Sequence, residues 1–268
     1  MRLAGELVRE FKASFAFVER NFYLTKRYLG WEIVFLSYST VNALTIGLIG
    51  VTQSSEMVMY LVIGALFWSF LGNIFMIVSE SVAWERWEGT IEYTFMAPIR
   101  RLTHLGGMCL FGIIYGVVRT IIMITILSIF LDFDFGRANI FSALLVLLIS
   151  SFAFIGLGLI AAVLPLISPE RGPQATNIIQ ALILLISGVY YPISVLPEWL
   201  QIFSRLSPGT YALQAARKAL LKGAQITELK SELIIIAVIG VILIPLGLWV
   251  FNLAEKWAMR AGKLKRSG

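Results

Sequence analysis

Long apolar runs alternate with shorter polar segments along this chain. Six of the runs are long enough to form a helix across the hydrocarbon core of a bilayer, which takes about 20 mainly apolar residues. They cover approximately 31–51, 57–79, 104–131, 140–164, 174–194 and 231–254. The pattern predicts an all-α membrane protein with six transmembrane helices, the third of them long enough to be tilted or broken.

The first 28 residues carry a different pattern. Apolar residues recur there every three or four positions and basic residues flank them, as on an amphipathic helix. There is no uninterrupted apolar core before a small-residue cleavage site, so the segment does not resemble a signal peptide. We expect 1–28 to form a helix lying in the membrane interface. The alternative is a solvated amphipathic arm that packs on another protein.

A polar island, approximately 80–98, follows the second apolar run. Helical spacing predicts a short helix there that lies flat on the membrane surface. Its predicted acidic face consists of Glu85, Glu88 and Glu92. Its predicted aromatic face consists of Trp84, Trp87, Ile91 and Phe95. The aromatic face would touch lipid or the ends of spanning helices, and the acidic face would point into the cytoplasm.

The segment 192–230 is too apolar for an ordinary loop. Prolines divide it into short pieces, and Pro197 and Pro208 each stand where a helix can begin. The second piece ends near Gly223. We predict a re-entrant pair of helices over about 192–223 that dips into the outer leaflet before the last span. A cap lying on the external surface is the alternative.

The composition supports a membrane protein. Of the 268 residues, 58% are hydrophobic and 14% are charged, with a mean hydropathy of +0.83, whereas soluble domains have about 25% charged residues. One Cys and one His exclude an internal disulfide framework and a zinc cluster of Cys and His ligands. We attribute the net charge of +6 to cytoplasmic segments and not to nucleic-acid binding.

The basic residues also predict the orientation. With both termini in the cytoplasm, fifteen Lys and Arg residues lie inside and six lie outside, and Arg119 falls within a span. An excess of Lys and Arg marks the cytoplasmic side. We therefore expect a multi-pass protein of the plasma membrane with both termini in the cytoplasm. Residues 256–268 would form a basic cytoplasmic tail.

Two motifs resemble those of a known family. Glu-Gly-Thr-Ile-Glu at 88–92, followed by Ala-Pro at 97–98, is similar to the coupling-helix region of the type-2 ABC transporter permeases. Ser-Gly-Val-Tyr-Tyr-Pro-Ile at 187–193, Leu-Pro-Glu-Trp-Leu at 196–200, Ser-Pro-Gly-Thr-Tyr at 207–211 and Arg217 resemble that family's signature before its last span. The two motifs occur in the family's order and spacing, and the likeness covers nearly the whole chain.

The resemblance implies a transmembrane domain over 29–255 that works with an ATPase. The chain contains no Gly-x-x-x-x-Gly-Lys-Ser/Thr phosphate loop, so ATP and Mg would bind a partner ABC ATP-binding subunit, present in two copies. The residues expected to contact that subunit are Glu85, Trp87, Glu88, Gly89, Thr90, Glu92 and Pro98. Six spans make half of the usual transporter, so we expect a homodimer or a heterodimer with a homologous permease.

The resemblance also suggests residues of the substrate pathway or its outer gate, all within the signature: Tyr190, Tyr191, Pro192, Pro197, Trp199, Pro208, Tyr211 and Arg217. We add Arg119, because it is a basic residue deep within a span. A charge in mid-membrane normally faces protein or water and has a partner. Arg119 could therefore contact an anionic or polar substrate group, or pair with a carboxylate or with carbonyls at a helix break.

The predicted function is export, without enzymatic activity in this chain itself. The Ser-Pro-Gly-Thr-Tyr form of the last motif resembles the branch that exports lipophilic drugs and lipids. Export of a lipid-linked polysaccharide or teichoic acid is the alternative within the family. An ATP-independent channel or a membrane enzyme is the alternative outside it, although the spans are poor in acid, base and nucleophile clusters.

Overall fold

The computed structural model describes residues 2–96, 101–131, 136 and 138–262. The side chains of residues 2–8, 95, 101 and 102 lie outside the described part. Regular structure in the described residues is helical. The helices are α1 (Arg2–Arg27), α2 (Leu29–Val51), α3 (Ser55–Glu88), α4 (Ile91–Met96), α5 (Arg101–Leu131), α6 (Ile140–Ala161), α7 (Val163–Ile167), α8 (Gly172–Ile186), α9 (Glu198–Leu206), α10 (Pro208–Lys222) and α11 (Lys230–Arg260), with a 3₁₀ turn at Ile193–Val195.

Local sequence signals set several helix ends. The Ser54 hydroxyl accepts from the Met57 amide at the start of α3, and the Asn139 side chain accepts from the Ser142 amide at the start of α6. Such caps satisfy backbone amides that have no partner within the helix. Gly89 and Gly223 adopt left-handed φ angles of 73° and 67° directly after α3 and α10. Glycine takes this conformation without a steric penalty, so both helices end there.

Helix α3 is the central helix of the bundle. It packs against α2, α5, α6, α8 and α10. In its most apolar stretch 72% of the residues are buried, against 22% in the corresponding stretches of α2, α5 and α11. Those three helices therefore leave most of their apolar surface uncovered, as expected of helices that face lipid or a further subunit.

The described part contains five helices that are long and apolar enough to cross a membrane. They are α2, α3, α5, α11 and the nearly continuous pair α6–α7. The predicted fifth span, 174–194, instead forms the 15-residue α8, which ends at Ile186. At about 1.5 Å per residue this helix is shorter than the hydrocarbon core. Six full-length spans thus remain a prediction, whereas α5, the predicted long span, is continuous.

The two short helices predicted before the last span are present. Pro197 precedes α9, Pro208 is the first residue of α10, and Gly223 ends α10. Helix α10 packs on α3, α6 and α11, and a row of alanines on it is fully buried. Backbone at membrane depth must be buried in protein or line a cavity, and α10 meets that condition. The depth of α9 and α10 in a bilayer stays a prediction.

Helix α1 confirms the predicted N-terminal helix and packs mainly against α5. The backbones approach closely at Gly107, where a Cβ atom would lie 2.4 Å from the Ser14 carbonyl oxygen. Phe22 meets Phe111 edge to face, with ring centroids 5.3 Å apart. Phe11 and Phe15 point away and are exposed. This leaves an apolar stripe for the membrane interface, a location that remains a prediction.

Candidate functional site

The polar island forms a helix end and not a separate helix. Helix α3 continues through it to Glu88, the chain turns at Gly89, and the six-residue α4 follows. The predicted single short helix over 80–98 is therefore wrong, because α3 uses the first nine of those residues to complete its length. The Thr90 amide donates to the Glu85 carbonyl oxygen and closes the turn. Pro98 lies outside the described residues.

An exposed patch forms around this turn. Trp84 and Trp87 are 58% and 67% exposed and meet edge to face, while Ile91 is buried, so the indoles do not share its face. The predicted aromatic face is wrong in that respect. The other exposed side chains are Glu88, Glu92, Tyr93 and Met96. We call this set, with the two tryptophans, the turn surface.

Glu85 does not belong to the turn surface. It is 5% exposed, and its Oε1 lies 3.0 Å from Nε2 of His104 on α5 and 3.3 Å from a guanidinium nitrogen of Arg20 on α1. His104 also stacks edge to face on Phe17. The prediction that Glu85 shares an exposed acidic face with Glu88 and Glu92 is wrong. Helical spacing identified the face but could not reveal that α1 and α5 cover Glu85.

Arg86, the neighbour of Glu85, is also buried, at 4% exposure. It lies in the electrostatic field of Glu170, which precedes α8, and of Glu92 on α4. The last turn of α3 is thus linked to α1 and α5 on one side and to the α7–α8 connection on another. A force on the turn surface would reach several helices at once.

A cavity of about 550 Å³ opens between α2, α3, α5 and α8. Its size falls in the range of small-molecule sites. Two predicted pathway residues, Arg119 and Tyr190, line it. Aromatic and polar residues make up much of the remaining wall: Glu32, Phe35, Tyr38, Ser39, Asn42, Trp68, Ser69, Asn73, Glu80, Trp84, Phe111, Tyr115 and Gln180.

Arg119 has backbone and hydroxyl partners. One guanidinium nitrogen donates to the Phe35 carbonyl oxygen at 2.9 Å and to the Ser39 hydroxyl at 2.7 Å, both on α2. One turn earlier on α5, the Tyr115 hydroxyl donates to Glu32. Arg119 therefore fastens α5 to α2 and also faces the cavity. A contact with backbone carbonyls was predicted at a helix break, but the Phe35 carbonyl lies within the continuous α2.

Sequence reasoning missed most of the polar cavity wall. Asn73, Glu80 and Gln180 were not among the predicted site residues, yet all three line the cavity, and the amide nitrogen of Asn73 is buried without a partner among the described residues. Polar side chains within apolar spans are costly and often functional. That signal was present at Asn73, whereas Glu80 was attributed to the polar island.

The signature before the last span folds back on itself. The Ser187 and Ser207 hydroxyls are 2.9 Å apart and connect the end of α8 to the start of α10. A Cβ on Gly209 would lie 2.6 Å from the Ser187 hydroxyl, so a larger residue would have to displace the Ser187 side chain. The Tyr191 hydroxyl donates to the Leu185 carbonyl, and the Tyr211 hydroxyl donates to the Arg205 carbonyl. These tyrosines brace the chain and do not line the cavity.

Arg217 holds the irregular chain after α8. Its guanidinium donates to the carbonyls of Gly188 and Val189 and lies 3.5 Å from the centre of the Tyr60 ring. Gly188 has φ 66°, which ends α8 and leaves these carbonyls outside a helix. Burial lowers the pKa of Arg217 to about 10, so the group stays charged at neutral pH.

The remaining predicted gate residues surround this region without lining the cavity. Pro192 and Pro197 flank the 3₁₀ turn, and Pro208 begins α10. Trp199 on α9 is 64% exposed. Together with Ile202, Phe203 and Leu206 it gives α9 an uncovered apolar face.

Comparison with known families decides the identity of the bundle. The sequence profile of the ABC-2 type transporter family matches residues 10–221, well over half of the chain. The chain belongs to the ABC-2 type transporter family. The comparison with curated proteins gives no significant match. The ABC-2 match covers most of α1, the turn surface, the cavity and the α8–α10 signature. It makes the protein a multi-pass membrane permease of an ABC transporter. The family implies an ABC ATP-binding partner.

Proposed function

We propose that this ABC-2 permease exports a lipophilic drug-like or lipid substrate from the cytoplasm or the inner leaflet. The observation that carries the proposal is the cavity between α2, α3, α5 and α8, whose wall mixes aromatic and polar side chains. Amphiphilic molecules need both kinds of contact. Export of a lipid-linked polysaccharide or teichoic acid is the second candidate, supported by the family assignment alone.

The proposed mechanism couples two described regions. ATP binding closes a pair of partner ATPase subunits beneath the turn surface, whose Glu88 and Glu92 are exposed. Movement there displaces the end of α3, and α3 also forms one wall of the cavity. A second permease, either an identical copy or a homologue, would complete the pathway. ATP and Mg stay on the ATPase, and this chain supplies the route.

Charge reversal on the turn surface tests this mechanism. We expect Glu88→Lys combined with Glu92→Lys to abolish substrate-stimulated ATP hydrolysis and to lower export by about ten-fold or more, because complementary charge sets the register of such contacts. The measurement is ATP-driven efflux and ATPase activity in proteoliposomes that contain permease and ATPase.

The control for this experiment is Glu19→Lys. It reverses an exposed carboxylate on α1 that is not part of the turn surface. We expect this variant to export at the wild-type rate. Wild-type export by the Glu88/Glu92 double variant, correctly inserted, would contradict the proposed ATPase contact.

A further inference from the structure

Acidic side chains outnumber basic ones in the cavity wall. The charged residues of the wall are Glu32, Glu80 and Arg119. Glu32 accepts a hydrogen bond from Tyr115, and Arg119 donates to a backbone carbonyl and to Ser39. Glu80 is exposed towards this space, and within the described residues no hydrogen bond or ion pair satisfies it. With both carboxylates ionised, the wall carries a net negative charge. Burial raises the pKa of Glu80, and a cation beside it would favour the ionised form.

The position of Glu80 concentrates that charge near one end of the cavity. Glu80 lies two turns before Glu88, the last residue of α3, and Glu32 lies in the first turn of α2. Both carboxylates therefore lie towards the end of the bundle that carries the turn surface. In the proposed orientation this end meets the headgroups of the inner leaflet. A carboxylate at this depth is stabilised by a positively charged partner.

Aromatic side chains share the cavity wall with Glu80. Trp84 follows it by one helical turn, and Tyr115, Phe111, Phe35 and Trp68 line the same space. Aromatic faces attract cations and also provide an apolar wall. A molecule with a positive head and an apolar body would meet both requirements. A negatively charged head would face two carboxylates.

We propose that this cavity binds amphiphiles with a cationic head group, with Glu80 as the counter-ion. The inference rests on the proposed function, because it assigns a charge to the substrate that enters the same cavity. Two sources share this chemistry: soluble lipophilic cations and membrane lipids with an amine head. Glu80 is the specificity-determining residue, and the aromatic side chains accept the apolar body.

Two probes of almost identical shape and opposite charge test the proposal. Tetraphenylphosphonium and tetraphenylborate are dialysed against the purified full-length permease in micelles of a non-ionic maltoside, with empty micelles as the blank. We expect saturable binding of the cation, with an affinity about ten-fold or more above that of the anion. Equal affinity for both probes, or preference for the anion, would overturn the proposal.

Variants of α3 locate the binding. Glu80→Gln should lower the affinity for tetraphenylphosphonium by about ten-fold or more, and Glu80→Asp should keep the preference for the cation. Glu56→Gln is the matched control, because it removes an exposed carboxylate from the first turn of the same helix. Unchanged affinity in Glu80→Gln overturns the proposal. If Glu80→Gln does not fold, Glu80→Asp replaces it as the test. A Glu80→Asp protein of normal thermal stability that has lost the preference for the cation overturns the proposal as well.

Added lipids distinguish the two sources. Lysyl-phosphatidylglycerol carries a net positive head group. Competition with tetraphenylphosphonium by this lipid, and none by anionic phosphatidylglycerol, identifies a lipid amine as an occupant. Absence of competition identifies soluble cations, and both results support a cationic head. Dialysis measures binding without an ATPase, so the two proposals are tested separately. If the permease prefers the cation but does not support ATP-driven export, only the proposed function is refuted. Export without cation preference refutes only this inference.

Discussion

At the residue scale, the two arginines predicted in the pathway have different surroundings. Arg217 donates to two carbonyls of an irregular segment, and Arg119 donates to one carbonyl inside a helix and to Ser39. The Phe35 carbonyl also accepts a hydrogen bond from Ser39. Loss of Arg119 thus leaves its backbone partner satisfied, whereas loss of Arg217 leaves the Gly188 and Val189 carbonyls without the guanidinium.

This difference predicts unequal stability losses. Arg217→Gln should lower the free energy of unfolding by about 1–3 kcal/mol for each carbonyl left unsatisfied, and Arg119→Gln should cost less. The measurement is the thermal stability of the two purified variants in the same detergent. A larger loss for Arg119→Gln would contradict the assigned contacts. Changed substrate preference in a stable Arg119→Gln protein would favour contact with substrate.

Single residues were predictable where the backbone itself requires them. Gly89 ends α3 with a φ of 73°, a conformation that glycine adopts without a steric penalty. Pro197, Pro208 and Gly223 correctly marked the ends of α9 and α10. The burial of Glu85 was not predictable, because it depends on contacts with His104 and Arg20, 19 and 65 residues away along the chain.

At the scale of elements, the clasp between α1 and α5 is the feature that sequence reasoning did not anticipate. It combines the Glu85–His104–Arg20 cluster, the close approach at Gly107 and a hydrogen bond from Thr103 to Glu10. Helical periodicity identified α1 but could not identify its partner. Periodicity reports which side of a helix is apolar, and it does not report which helix covers that side.

Two neighbouring glycines test the clasp. A Cβ at Gly107 would lie 2.4 Å from the Ser14 carbonyl, whereas at Gly106 its nearest neighbour is the Ser14 hydroxyl at 3.8 Å. We expect Gly107→Ala to displace α1, because backbone cannot yield as a side-chain tip can. Gly106→Ala should leave it in place. Tryptic cleavage at Lys12 and Arg20 in inverted vesicles measures the displacement. Equal cleavage in both variants would contradict the clasp.

The length of α8 shows a second limit at this scale. Hydropathy predicted a span over 174–194, because residues 187–191 are mostly apolar or aromatic. The helix ends at Ile186 instead, since Gly188 adopts a left-handed conformation and Arg217 binds the carbonyls beyond it. Composition reports that a segment is apolar and does not report where its backbone leaves the helix.

At the scale of the whole molecule, the predicted functional regions lie at opposite ends of the bundle. The turn surface, α1 and the start of α5 are at one end, and the α8–α10 signature is at the other, with α3 extending between them. The family assignment makes the chain a multi-pass permease, and the positive-inside count predicts which end is cytoplasmic.

Single cysteines test this orientation. The chain has one cysteine, Cys109, which is buried and can be replaced by alanine. On that background, a membrane-impermeant maleimide should label Glu198→Cys in intact cells and Glu88→Cys only in inverted vesicles, because both positions are exposed. A permeant maleimide, which labels both, is the control for reactivity. Labelling of Glu88→Cys in intact cells would reverse the predicted orientation.

The clasp also determines an order of events during synthesis. Glu10 and Thr103, which it joins, are 93 residues apart in the chain. Helix α1 therefore leaves the ribosome well before the helix that will hold it. Its amphipathic sequence allows it to rest on the bilayer surface during translation. The buried cluster forms only when the start of α5 arrives, so α1 is made well before it can be fixed in place.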